Sequence, residues 1–298
     1  MCRKWYNGYS WTKGERVYNP FSLLNFLQTR EFHNFWFETG TPTFLLKAAR
    51  QQRYYNFSGQ QASRLTLTEF ELRELQPIPV LFQTGYLTIQ SGPDRTGLYT
   101  LGYPNIEIQS AFEERLLNLY AEDNRREAGI RISRLLDALE ANDVETVIEI
   151  INATFSSIPY EHWQKENEHF FHALIHLTFS LLGAYIQSEV HTSRGRLDAT
   201  VQTKDYIYIL EFKLNSERRG LGVRHKPDAR VYADTKSCLV PNYFVVGIDQ
   251  DAEAALNQIR ENDYFAPYQD SSKQKWAIGI AFSTKTKKVD NWIAQLID

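Results

Sequence analysis

Two strand-like segments, Arg196-Leu197-Asp198-Ala199-Thr200-Val201 and Tyr206-Ile207-Tyr208-Ile209-Leu210-Glu211-Phe212-Lys213, are joined across the tight gap Lys204-Asp205. If that pair is a two-residue hairpin loop, Thr203 faces Tyr206, and counting outward sets Asp198 opposite Glu211. Directly opposed residues share a sheet face, with Cβ atoms roughly 5 Å apart. The two-residue side-chain period puts Lys213 on that face too. Two acids so placed repel, and one is expected to keep its proton unless a cation neutralises them. Lys-Asp is not a favoured pair for such a loop, so a neighbouring register stays open.

Carboxylate oxygens are hard ligands for Mg²⁺ or Mn²⁺, and such an ion lowers the pKa of a bound water and shields a phosphate's charge. A lysine beside them positions that water or meets charge developing on the phosphoryl oxygens. The toolkit is that of phosphodiester hydrolysis. A Glu-x-Lys triplet alone is weak evidence, because most are surface ion pairs worth under about 1 kcal/mol. A second set, Glu168, His172 and His176, recurs at i, i+4 and i+8 and so shares one face of a helix. It lacks the His-Glu-x-x-His order and has no further Cys or His ligand nearby, which argues against zinc. The histidines read as hydrogen-bonded core groups, with a role for His172 beside the acids as the second reading.

The elements that must position these groups follow from periodicity. A helix from about His162 to Leu182 precedes strand candidates Ala184–Thr192, Arg196–Thr203 and Tyr206–Lys213. A helix carrying Ala254, Ala255, Gln258 and Ile259 then leads into a last strand, Lys275–Ser283. The order α-β-β-β-α-β is that of an α+β or α/β fold with helices covering a small sheet.

Upstream, Asn19-Pro20 before Phe21-Ser22-Leu23-Leu24 is a helix start, with Asn19 as cap and Pro20 in the first turn. Tyr6-Asn7-Gly8-Tyr9 reads as a turn and Thr43–Arg50 as a short helix. Residues 64–103 read as strands, with Val80–Ile89 and Leu98–Leu101 flanking the turn Ser91-Gly92-Pro93-Asp94. Residues 107–151 switch to helical periodicity, and the charged stretch Glu122–Glu127 reads as a solvated helix face.

Composition sets the outer limits. At 298 residues the chain holds one large domain or two ordinary ones, and 43% hydrophobic with 14% aromatic residues fills packed cores rather than a disordered chain. The formal net charge of -3 supplies no general cationic field, so a nucleic-acid partner requires a local basic patch. Two cysteines, Cys2 and Cys238, make neither a disulfide framework nor a Cys-rich zinc site. With no apolar leader after Met1 and no apolar run of membrane-spanning length, the expectation is a soluble, cytoplasmic protein with no membrane partner.

The string Glu168-His169-Phe170-Phe171-His172, followed by Gly195-Arg196-Leu197-Asp198, Glu211-Phe212-Lys213 and Gln258, resembles the PD-(D/E)XK nuclease superfamily. More closely, it resembles the bacterial branch in which that fold follows an AAA-ATPase-like module. Trp5-Tyr6-Asn7-Gly8-Tyr9, Val17-Tyr18-Asn19-Pro20-Phe21-Ser22, Phe35-Trp36-Phe37-Glu38-Thr39 and Leu81-Phe82-Gln83-Thr84-Gly85-Tyr86 look like the closing part of that module. The resemblance implies a restriction-endonuclease-like core. Asp198, Glu211 and Glu168 would be its Mg²⁺ or Mn²⁺ carboxylates, Lys213 its catalytic lysine and Gln258 the polar residue of its second helix. It implies a divalent-metal-dependent nuclease acting on nucleic acid, with DNA placed ahead of RNA. The alternative is a catalytically silent regulatory or nucleic-acid-binding module that keeps the fold.

The expected organisation is therefore residues 1–150 as the module's remnant, with a helical linker over about 107–155, and residues 156–298 as the nuclease-like domain. Two departures stand out. No Gly-x-x-x-x-Gly-Lys-[Ser/Thr] phosphate loop is present, so neither ATP binding nor ATPase activity is expected. An insert at 216–249, rich in Arg218, Arg219, Arg224, Lys226, Arg230 and Lys236, separates Lys213 from Gln258. It reads either as a basic arm for a phosphate backbone or as a solvated loop, and Pro241–Ile248 within it reads as an extra strand.

Overall fold

A computed structural model describes the backbone of the chain except residues 13, 39–42, 69–75, 122–126, 157–166, 187–190, 193–197, 216–242, 247–249, 284–285 and 298. The side chains of 167–169, 185–186, 191–192, 198, 214–215 and 243–250 also lie outside the description. Most of the insert, Cys238 and the charged stretch 122–126 therefore fall outside the described residues.

In chain order the elements are α1 (Cys2–Tyr6), β1 (Asn7–Tyr9), β2 (Val17–Tyr18), α2 (Pro20–Thr29), α3 (Phe35–Glu38), α4 (Thr43–Gln51) and β3 (Gln60–Ser63). Then come α5 (Arg64–Thr68), α6 (Pro77–Gln83), β4 (Thr88–Ser91), β5 (Leu98–Gly102), α7 (Ile106–Tyr120), α8 (Ala128–Glu140) and α9 (Val144–Ser156). The rest are α10 (Asn167–Ile186), β6 (His191–Thr192), β7 (Asp198–Gln202), β8 (Tyr206–Asn215), β9 (Tyr243–Val246), α11 (Gln250–Glu261), β10 (Gln274–Ser283) and β11 (Lys288–Ile297). The mixture of helix and strand is the α+β composition expected. Two compact units form, Met1–Ile130 with His169–Tyr185 and Arg131–Glu168 with Ile186–Asp298.

In the first unit, a three-stranded sheet of order β3-β5-β4 packs with short helices around α7 and α10. The start of α2 follows the expectation: the Asn19 side chain accepts from the amides of Phe21 at 3.0 Å and Ser22 at 3.4 Å. The Gly92-Pro93 turn joins β4 to β5 as expected, and Asp94 Oδ1 accepts from the amides of Thr96 and Leu98 at 2.8 and 2.9 Å. Three readings are corrected. Val80-Leu81-Phe82-Gln83 belongs to helix α6, not a strand, because Pro77 opens a helical turn and the apolar run Ile78 to Phe82 is buried on all sides. A short apolar run carries no periodicity that separates the two states. The start of the region read as strand is likewise helix α5. Tyr6-Asn7-Gly8-Tyr9 is the junction of α1 with β1 rather than an isolated turn.

The second unit holds a six-stranded mixed sheet of order β6-β7-β8-β10-β11-β9. β8 and β10 run parallel at its centre; the other neighbours are antiparallel. The stretch Ala184–Thr192 was expected as one strand, but α10 continues to Ile186 and only His191–Thr192 pairs. An apolar helix end and a buried strand look alike in such a run. β11, absent from the expected order, adds a hairpin partner to β10. The extra strand expected at Pro241–Ile248 is β9, at the sheet edge beside β11.

The two faces of this sheet take different helices. Even-numbered residues of β8 and β10 meet α8 and α9: the Tyr208 hydroxyl donates to the Leu139 carbonyl at 2.7 Å, and Phe282 packs on Phe155 with centroids 4.5 Å apart. Odd-numbered residues meet α11, in a core of Ile209, Ala252, Leu256, Ile259, Ala277 and Ala281.

Candidate functional site

The site residues stand on that second face. The β7–β8 ladder pairs Asp198 with Glu211, Val201 with Tyr208 and Gln202 with Ile207. At the loop, the Thr203 amide donates to the Tyr206 carbonyl at 2.9 Å. Lys204-Asp205 is thus the loop that the count assumed, and the opposed acids follow from it. Glu211 is 2% exposed, and the Lys213 side chain one-third exposed.

Gln258 joins these two from α11. Its Nε2 donates to Glu211 Oε1 at 2.6 Å, and its Oε1 accepts from Lys213 Nζ. Lys213 Nζ also lies 3.4 Å from Glu211 Oε1. The insert between Lys213 and α11 therefore does not displace Gln258 from the triplet, because the closed three-way arrangement is set by helix-on-sheet packing. Burying a carboxylate is costly unless charged or polar donors compensate, and here an ammonium and an amide do so.

What lets α11 come so close is a pattern of small residues outside the motif. The odd face of β10 reads Ala277-x-Gly279-x-Ala281, aligned with Ile209, Glu211 and Lys213 of β8. A Cβ built on Gly279 would stand 2.3 Å from the Ala252 carbonyl oxygen and 2.9 Å from the Leu256 amide nitrogen. The helix backbone lies flush on Gly279, next to Glu211 in the ladder. A strand whose inward positions are all small is the available signal for such an approach.

Glu168 falls within α10 and Asp198 at the start of β7, but their side chains lie outside the described residues. Among the described residues no three His, Cys, Asp or Glu side chains converge on one point. The donor set nonetheless fits a hard divalent cation, since a buried carboxylate faces a second acid position directly across the ladder. His176 belongs to the first unit. Burial lowers its pKa to about 4, and its ring meets Tyr55 edge-on at 5.3 Å.

Residues 166–233 match the model of the PD-(D/E)XK nuclease superfamily. That stretch takes in Glu168, Asp198, Glu211 and Lys213 and stops short of Gln258. Over 306 aligned residues the chain is 32% identical to the "Uncharacterized protein in vnfD 5'region" of Azotobacter chroococcum mcd 1. That alignment covers 98% of this chain and 52% of the relative, so the chain spans about half the length of the curated relative it matches. No solved structure matches. Among the described residues no helix is long and apolar enough to cross a membrane.

Proposed function

We propose that the second unit hydrolyses phosphodiester bonds of nucleic acid, with DNA ahead of RNA, using a divalent cation held by Asp198 and Glu211. The observation that carries this reading is the closed arrangement of Glu211, Lys213 and Gln258 on the strand pair that opposes Glu211 to Asp198. Mg²⁺ or Mn²⁺ bound there would supply an acidified water and charge neutralisation at the phosphate. Asp198 and Glu211 would hold the cation, with Glu168, from the start of α10, as a third carboxylate. Lys213 Nζ orients the attacking water and donates toward the phosphoryl oxygen that gains charge. Gln258 keeps the Glu211 carboxylate and the Lys213 ammonium in place. Residues 1–150 take the part of a supporting module resembling the end of an ATPase-like domain, without nucleotide hydrolysis of their own.

The test incubates the full chain with single- and double-stranded DNA and RNA in Mg²⁺, Mn²⁺ or EDTA, beside Asp198→Ala and Lys213→Ala. Cleavage that needs the metal and drops about a thousandfold in either variant is expected, in line with losing a group that acts on the transition state. Equal behaviour of wild type and variants would overturn the proposal and favour a silent nucleic-acid-binding module.

A further inference from the structure

The first unit has an open cleft of about 500 Å³, lined by none of the candidate nuclease residues. Its lining includes three cationic side chains, Arg3, Lys4 and Arg16, with Asn105, Ile106 and Gln109. Among the described residues no carboxylate lines it. We propose that this cleft binds a phosphate group.

Its construction is specific. Gly8, at φ +137°, brings β1 against the turn that opens α7: a Cβ there would stand 1.8 Å from the Pro104 carbonyl oxygen. That contact sets Arg3, Lys4 and Asn7 across from the first turn of a fifteen-residue helix. A helix start presents amide N–H groups and the positive end of its dipole to an anion. Arg16 is held in position by Gln90, which in turn donates to the Tyr103 carbonyl at 2.7 Å. A guanidinium carries five donors, so this single bond leaves it able to grip a ligand.

Besides the helix start, the charge of the lining points to an anion. Three cations converging with no lining acid form a local positive field in a protein whose net charge is -3. Asn105, 7% exposed, caps the helix: its Oδ1 accepts from the Ile108 amide, and its buried Nδ2 lies beside the Tyr9 hydroxyl. Glu107, the acid of the helix's first turn, is not among the lining residues. It is fully buried, and its Oε1 accepts from Ser22 Oγ and the Trp36 amide.

The experiment uses the full chain in EDTA with two probes. Pyrophosphate is titrated by calorimetry, and a labelled single strand of about twelve nucleotides by anisotropy. The variants are the pair Arg3→Gln with Arg16→Gln and, as a charge-retaining control, Arg3→Lys with Arg16→Lys; melting curves confirm that both fold. Pyrophosphate binding that weakens about tenfold or more in the glutamine pair and survives in the lysine pair supports a free phosphate ligand. If only the single strand binds, and the slope of log affinity against log salt falls by about 1.4 in the glutamine pair, the phosphate is that of a nucleic-acid backbone. Binding of both probes by the glutamine pair as tightly as by wild type, or of neither by wild type, overturns the proposal.

Discussion

A carboxylate held at 2% exposure is stable only while its donors stay in place, and for Glu211 those donors are Lys213 and Gln258. The two differ in the work assigned to them. Lys213 is one-third exposed and reaches the open side of the site, whereas Gln258 joins the other two side chains. On the proposed reading Gln258 would therefore be a positioning residue. Gln258→Ala should lower kcat by about ten- to a hundredfold, the size expected when a group that orients a metal ligand is lost. Gln258→Glu should shift the acidic limb of the pH–rate profile to higher pH. A second carboxylate beside Glu211 favours its protonated form, and only the ionised form holds a cation. An unmoved profile in the Glu variant would deny the contact a part in catalysis. The Glu211-Phe212-Lys213 triplet and Asp198 were legible because a two-residue loop fixes register by counting alone. Gln258 was named only through a family resemblance, since a mid-helix glutamine carries no local sign of its partner 45 residues away.

Among the elements, α11 and β10 decide where Gln258 stands. Gly279→Ala should cost about 1–3 kcal/mol in unfolding free energy, because the added methyl meets helix backbone rather than a movable side chain. It should lower nuclease activity as well, by lifting α11 from Glu211. Melting curves and turnover measured on one preparation check both; lost activity with unchanged stability would place the effect elsewhere. Helices α7 and α10 of the first unit carry a second element-scale prediction. Burial pushes the Glu113 carboxyl up to about 8 from 4.5, although Ser180 Oγ donates to it at 2.9 Å. A carboxyl raised on folding contributes stability below pH 4.5 that is lost as pH rises through 8. Burial lowers His176 to about 4 from 6.5, so its contribution is complete above pH 6.5 and lost as pH falls through 4. The two slopes oppose each other between 4.5 and 6.5, and Glu113 acts alone from there to 8. Glu113→Gln should therefore gain on the order of 4 kcal/mol over wild type at pH 8 in denaturant titrations, and nothing at pH 4. A pH-independent difference would show that the carboxyl titrates normally in the fold.

At the scale of the molecule, the class of fold was legible because long periodic helices and alternating strands declare themselves. The partition of the chain is harder to read, since sequence order hides which helix packs with which sheet. An expected boundary near residues 150–156 follows the change of pattern along the chain, while the segments of the two compact units alternate along the sequence. α10 contributes Phe170 against Tyr120, His176 against Tyr55 and Ser180 to Glu113, all within the first unit. The residues before it serve the second unit. The Tyr208 hydroxyl donates to the Leu139 carbonyl, and the Val289 amide donates to Asn152 Oδ1 at 2.7 Å. Cutting at about 155 therefore removes a buried helix from one unit and two sheet-covering helices from the other. Fragments 1–155 and 156–298 should each melt without cooperativity or aggregate. Mixed together, they should regain a cooperative transition, since each supplies the surface the other lacks. Circular dichroism melts of the separate and mixed fragments decide this. A fragment 156–298 that melts as sharply as the full chain would mean that α8 and α9 are dispensable to the sheet. The loss is expected because removing them uncovers Tyr208 and Phe282, both fully buried aromatic side chains worth about 3–5 kcal/mol each when their packing is lost.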